Sequence, residues 1–414
     1  MTSLMTKKLT TMRTYRLENF MDFPRLAFRL AMVQPFQWSG ASQHRSNFAM
    51  RLFFIVGTSN LLYQNIGMLI HLLGPQTSRG ESIDFVLQLS ETGSILGLCT
   101  VAVCKMLLLF WHRDSISQLI EDFQTILPND RVQRLQNSSR GSDRRCHLHK
   151  SNRVMKITAI FFMSAFCWYN LFPLMELWIG RNSRRFNYRY QSNTWYPWQT
   201  ERNAESVALY LVAYLCQMHS SLMGVAFIMA GEFMLCFFVT QMQLHFDFLA
   251  DAVENLDARS EHAEQQLRFL IDYHNMLLDL STSINKIFSF SFLMNFGTAS
   301  IAICLMGCSI FLVSDVVNII KFSVGLLSFL VFTLFICYNG SEFTSSSGKL
   351  MMAAFHNNWY EGSVSYRKMI LFFMMRSVQP SVLRAHKFTD VSMQAFMAIL
   401  KFSYQLFTFF RALA

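Results

Sequence analysis

Charge is scarce in this chain: Asp, Glu, Lys and Arg make up 15% of 414 residues, and only 7 prolines and 17 glycines interrupt the rest. With 52% hydrophobic residues, such a composition excludes a disordered, solvated polymer. Catalytic signatures are missing as well. There is no HExxH, no GxSxG, no Walker or Rossmann glycine pattern and no CxxC pair, so an enzyme reading has no support. His147-Leu-His149 sits among arginines that repel a metal cation, and Cys304 and Cys308 stand one helical turn apart in an apolar run, as a packing pair does. No cofactor or metal is expected.

Long hydrophobic runs fill the chain instead. Leu52–Ile70, Ile157–Met175, Ser206–Gly231, Ile287–Ser314 and Phe322–Ser341 carry no Asp, Glu, Lys or Arg. About 20 such residues cross a bilayer as a helix, and buried helices of soluble proteins rarely repeat that length so often. Two further stretches are apolar but for Glu91 and Lys105 in 85–111, and for Asp390, Lys401 and Arg411 in 388–412. The expected fold is an all-α polytopic membrane protein with seven transmembrane helices, at about 52–71, 85–111, 155–177, 206–236, 284–314, 319–340 and 388–412.

The net charge of +10 comes without a nucleic-acid motif, and no nucleic acid is expected as a partner. Its distribution orients the chain instead. Lys and Arg number eight in 1–51, nine in 111–156, three in 244–286 and six in 342–387, against eight on the other side of the bilayer. Basic loops stay inside, so the N-terminus is expected in the cytoplasm and the C-terminus outside. That is the reverse of a G-protein-coupled receptor, whose Asp-Arg-Tyr and Asn-Pro-x-x-Tyr marks are absent too. The first residues show no compact apolar core with a cleavage site, so the first span is expected to direct insertion. No cysteine falls in an outer loop, and the sequons at Asn137 and Asn339 fall on the inner side, where they stay unmodified.

Four regions follow: a cytoplasmic segment (1–51), six spans with helical cytoplasmic loops (52–340), a cytoplasmic helical anchor region (341–387) and a last helix (388–414). Ile116, Leu119, Ile120, Phe123, Ile126 and Leu127 recur at helical spacing, as do apolar residues in 244–280; both read as cytoplasmic helices. The basic stretch 131–150 reads as a loop.

In the last span, Gln394, Lys401, Tyr404, Thr408 and Arg411 fall on one side and Ile399, Phe402, Leu406 and Phe410 on the other. Charge inside a bilayer is costly, so this stripe reads as a pore wall or as a face buried in the bundle. Glu91, just inside the outer surface, reads as a bundle partner or a ligand contact. Gly93-x-x-x-Gly97 reads as close helix packing. The outer halves of spans 2, 3, 4 and 6 are rich in aromatics, Met and hydroxyls. Phe161, Ser164, Trp168, Tyr169 and Phe172 in span 3, Tyr210, Tyr214 and Met218 in span 4, and Leu326 and Phe329 in span 6 form the candidate lining for a small, mostly apolar ligand, or plain packing surfaces.

From Gly340 onward the chain resembles the insect odorant receptor family. Ser345 or Ser347, Ala353-Ala354, Trp359-Tyr360, Arg367-Lys368, Met375-Arg376 and Gln379-Pro380 carry the resemblance in order. Ala385, Phe388, Ser392, Phe396 and Ser403-Tyr404 complete it. The stretch 24–36 (PRLAFRLAMVQPF) extends it loosely. Ser403-Tyr404 leads to Phe410-Arg411, unlike the ending of the related gustatory receptors. The resemblance implies an odorant-gated, non-selective cation channel, a heterotetramer whose seventh helices line the pore. One subunit binds a volatile odorant and a shared co-receptor completes the channel. The short 244–286 loop resembles the variable, odour-tuning subunit. The family's hydrophobic constriction falls near Phe407, with Arg411 at the outer mouth. The implied location is the plasma membrane of an olfactory neuron's dendrite. The alternatives are a gustatory-type channel or a metabotropic seven-helix receptor.

Overall fold

The computed structural model describes residues 20–32, 48–74, 82–126, 141–179, 190–198, 207–313 and 315–413. Helices dominate it: α1 (Asp22–Leu30), α2 (Phe48–Leu73), α3 (Ser82–Trp111), α4 (Arg113–Ile126), α5 (Gly141–Ile179), α6 (Val207–Glu254), α7 (Ala263–Leu312), α8 (Val316–His356), α9 (Val364–Ser377) and α10 (Met393–Leu413). A two-residue antiparallel pair, Arg384–Ala385 with Thr389–Asp390, joins α9 to α10. Hydrocarbon offers no hydrogen-bond partner, so a chain with these apolar runs satisfies its backbone within helices.

Six helices, α2, α3 and α5–α8, are long and apolar enough to cross a bilayer. The last helix is 21 residues long and less uniformly apolar. It nevertheless runs the full depth. Its first amide, Met393 N–H, donates to Ser341 Oγ of α8. Farther along, Ser403 Oγ donates to the Ser300 carbonyl at 3.1 Å, and Phe407 packs edge-on against Phe311, next to the end of α7. Contacts rising in step along both helices set α10 parallel to α7.

At 48, 50 and 41 residues, α6, α7 and α8 far exceed the membrane. At about 1.5 Å per residue, α6 alone measures roughly 70 Å against about 30 Å of hydrocarbon. The surplus lies on the basic side, where α4 packs on α6 through Phe123 and α9 packs on α7 and α8. Helix α8 runs unbroken from the expected sixth span past 340 to His356. Residues 141–150, expected as loop, are the first turns of α5. Two contacts hold them: an ion pair of Lys150 Nζ with Glu342 at 2.5 Å, and His147 Nε2 against Asp247 at 3.0 Å. Burial raises the Asp247 carboxyl, but hydrogen bonds from His147 and Lys349 outweigh it and hold the group below the usual range. Residues 127–140, the rest of the expected loop, and Asn137 lie outside the described residues.

Helix α6 is the centre. In its most apolar stretch 89% of residues are buried, against 28–56% in the other five long helices. It touches α1, α2, α3, α5, α7 and α8. Phe227, Phe233, Phe237, Phe238 and Phe246 fill the space between. Among them lies an ion pair: Lys105 Nζ of α3 stands 2.6 Å from Glu232 Oε1 of α6, both side chains fully buried. Asn295 of α7 reaches the same carboxylate at 3.5 Å, and Lys105 lies over the Phe288 ring. Gly231 makes room, since a Cβ there would stand 2.6 Å from Lys105 Cδ.

Removing one member of such a pair leaves a bare buried charge, which costs about 3–5 kcal/mol, whereas replacing both with apolar groups can be neutral. Lys105→Met is therefore expected to lower the melting temperature of the purified protein sharply, and Lys105→Met with Glu232→Leu to restore most of the loss.

Candidate ligand cavity

Toward the outer side, α2, α3, α5, α6 and α8 part to leave a cavity of about 180 Å³. An apolar cavity of about 150 Å³ already holds a benzene-sized guest, so this one suits a small organic molecule. Its inner wall is apolar, built by Phe162, Phe166, Val225, Ile228, Phe329 and Phe332. In α5 the lining residues recur at 162, 165–166, 168–169 and 172–173, the spacing of one helical face.

The outer end is roofed by the segment 190–198, which packs into the mouth of the bundle. Its backbone is held by side chains. Gln217 of α6 accepts from Gln191 N–H at 3.0 Å and Ser192 N–H at 3.3 Å, and its amide donates to the Ser192 carbonyl at 3.0 Å. From α2, Tyr63 donates to the Trp195 carbonyl and Gln64 donates to the Tyr196 hydroxyl at 2.8 Å. Trp195 N–H bonds the Gly67 carbonyl at 3.1 Å. A Cβ at Gly67 would lie 2.5 Å from Thr194 Cγ2, so glycine admits the segment. Tyr196 is 1% exposed and stacks on Trp198.

One ion pair lines the cavity: Lys321 of α8 bonds Glu91 of α3, with the ammonium over the Phe172 ring at 5.1 Å. Lys321 falls at the outer end of the expected sixth span, 319–340, and Glu91 finds in it the bundle partner that the sequence left unnamed.

Of the ten residues proposed for the lining, the fold brings Trp168, Tyr169, Phe172 and Phe329 to the cavity. The other six stand elsewhere. Ser164 is exposed and its hydroxyl donates to the Phe161 carbonyl one turn back, while Phe161 packs on Phe162 beside it. Met218 is 38% exposed. Tyr210 and Tyr214 are buried in a tyrosine stack with Tyr190, and the Tyr214 hydroxyl bonds the Asn170 carbonyl. Leu326 packs with Ala299, Ala302 and Met306 against α7. The physical reason is common to them: apolar side chains and hydroxyls that bond their own helix suit lipid and cavity alike. The carboxamides Gln64, Gln191 and Gln217 were the missed signal, three polar groups in or beside apolar spans.

On α10 the bundle side is Ala395, Ile399 and Ser403, and the free side carries Gln394, Lys401, Tyr404 and Thr408, all exposed. Phe407 is half-buried between Phe311 and Tyr404. Phe402, expected on the side opposite the polar stripe, is 51% exposed. The side chain of Arg411 lies outside the described residues.

Gln217→Leu strips partners from three buried backbone groups, each worth about 1–3 kcal/mol when orphaned. Hydrogen–deuterium exchange over 190–198 is expected to accelerate by roughly tenfold or more, with the anchor helices unchanged.

Comparison with known proteins agrees with this architecture. The family model described as 7tm odorant receptor matches residues 86–404. The chain is 34% identical to putative odorant receptor 69a, isoform B, of Drosophila melanogaster, over 96% of this chain and 100% of that one. It is 26% identical to odorant receptor 85c of the same fly, over 95% and 99% of the two chains. Its fold is similar to the olfactory receptor OR5 of Machilis hrabei solved in complex with eugenol, with a TM-score of 0.76 at 15% identity, over 96% and 99% of the two chains. These likenesses mark a receptor rather than an enzyme. With its apolar bundle and outer cavity, the chain belongs to the seven-transmembrane odorant receptor family.

Proposed function

We propose that this chain is the odour-tuning subunit of a heteromeric, ligand-gated, non-selective cation channel in the plasma membrane of olfactory neuron dendrites. The observation that carries the reading is the roofed, apolar-walled cavity of about 180 Å³ among α2, α3, α5, α6 and α8. A small, volatile, mostly apolar odorant fits such a space, buried away from water.

The free face of α10 supports the channel half of the reading. In a lone chain Gln394, Lys401, Tyr404 and Thr408 face outward, although the helix carries charge that lipid does not tolerate. In a heterotetramer with co-receptor subunits that face borders a water-filled pore, Phe407 supplies its constriction, and Arg411 stands at the outer mouth. The cavity and α10 are linked mechanically by α7, which packs against α3, α8 and α10. An odorant opens the pore only by binding the open arrangement more tightly than the closed one.

Four copies of Arg411 would set a cationic ring across a cation path, which favours anions. One copy among co-receptor subunits obstructs far less. Voltage-clamped cells expressing this chain with a co-receptor are expected to pass odorant-evoked cation current, and cells expressing the chain alone to pass almost none. A full-sized cation current from the chain alone would overturn the heteromeric reading.

A further inference from the structure

Resting on the odour-tuning reading, we infer that the cavity selects small neutral molecules bearing a hydroxyl group, held with the oxygen toward the roof and the hydrocarbon toward the inner wall. The cavity is polarised along its length. Its inner wall is aromatic and aliphatic but for Ser328, whose hydroxyl donates to the Val324 carbonyl of its own helix, whereas Gln64, Glu91, Ser94, Gln191, Gln217 and Lys321 lie toward the outer end.

Among the described residues, several polar groups at the cavity have no partner. Gln191 is 3% exposed, and neither its Oε1 nor its Nε2 makes a hydrogen bond among the described residues. Gln64, 2% exposed, spends its Nε2 on Tyr196 and leaves Oε1 unbonded. Ser94, 1% exposed, has an unbonded hydroxyl, and the Trp168 indole N–H at the same cavity is unbonded too. Buried carboxamides and hydroxyls are normally satisfied. A cluster of them around a cavity is the complement of something that both donates and accepts.

The charges present decide the guest's charge. Glu91 and Lys321 neutralise each other. A carboxylate guest would compete for Lys321 and strand Glu91, and an ammonium guest would do the reverse. Either exchange breaks a partly buried pair, with side chains 21% and 32% exposed, and leaves one of its charges without its partner. An alkane enters freely but leaves the carboxamides orphaned. A hydroxyl gives one proton and accepts another hydrogen bond, so it serves both ends of Gln191 or bridges Gln191 to Ser94. Relieving one orphaned buried group shifts affinity by roughly tenfold to a hundredfold.

The test uses the complex with a co-receptor and matched pairs of probes: n-octanol with n-octane, and phenylethanol with ethylbenzene, plus octanoate and octylamine. Alcohols are expected to evoke current at concentrations roughly tenfold or more below their hydrocarbon partners, with the acid and the amine weaker than the alcohol. Gln191→Leu is expected to erase the alcohol's advantage, so that alcohol and hydrocarbon evoke current at similar concentrations. Should that variant fail to reach the cell surface, Ser94→Ala, which removes a single oxygen, carries the comparison. Equal potency of alcohol and hydrocarbon, or preference for the acid or amine, would overturn the inference and leave the odour-tuning reading standing. A surface-expressed complex silent to every probe would overturn that reading itself.

Discussion

From Met223 to Val253 helix α6 has no exposed side, and the rest of the architecture follows from that. A helix buried on every side must be surrounded, and α1, α2, α3, α5, α7 and α8 all rest against it. Its aromatic residues fill most of the contact, and its one carboxylate in the apolar stretch, Glu232, cannot meet water. Lys105 therefore comes to it from α3, and the pair fixes the register of α3 on α6 in a way that apolar packing alone would not. The continuation of α6 past the membrane carries the same central role into the anchor, where Asp247 gathers His147 of α5 and Lys349 of α8.

The two ends of the bundle are built for different tasks. On the basic side the helices stay packed, with their ends tied by ion pairs and capped turns. On the other side they separate, and the 190–198 segment closes the gap through carboxamide hydrogen bonds. Between the ends, α7 touches the cavity-forming helices and α10 alike. Packing is thus continuous from the cavity wall to α10, through the contacts of Phe407 with Phe311 and of Ser403 with Ser300.

Much of this was legible in the sequence because the bilayer imposes few solutions. Uncharged runs of helical length read directly as spans, and the amphipathic spacing from Ile116 to Ile126 read directly as α4. The polar stripe of α10 was legible for the same reason. Pairings were not: that Lys105 meets Glu232, or Lys321 meets Glu91, depends on which helices are neighbours, and composition does not say. Face assignment failed inside the cavity helices, because the ordinary amphipathic signal disappears where lipid, cavity and neighbouring helix are all apolar. Ser164 and Met218 were taken for lining on that ground and face outward, while Gln217 and Gln191, separated by a span and a loop, proved to hold the roof. The basic run at 141–150 looked like a loop because its stabilising partners, Asp247 and Glu342, lie on other helices.

The account depends most on the direction in which the chain crosses the membrane, since that sets the cavity outward and the anchor inward. Epitopes placed at each terminus and probed on intact and then permeabilised cells test it directly. The C-terminal epitope is predicted to be accessible on intact cells and the N-terminal epitope only after permeabilisation. The opposite pattern would place the cavity toward the cytoplasm and contradict the account.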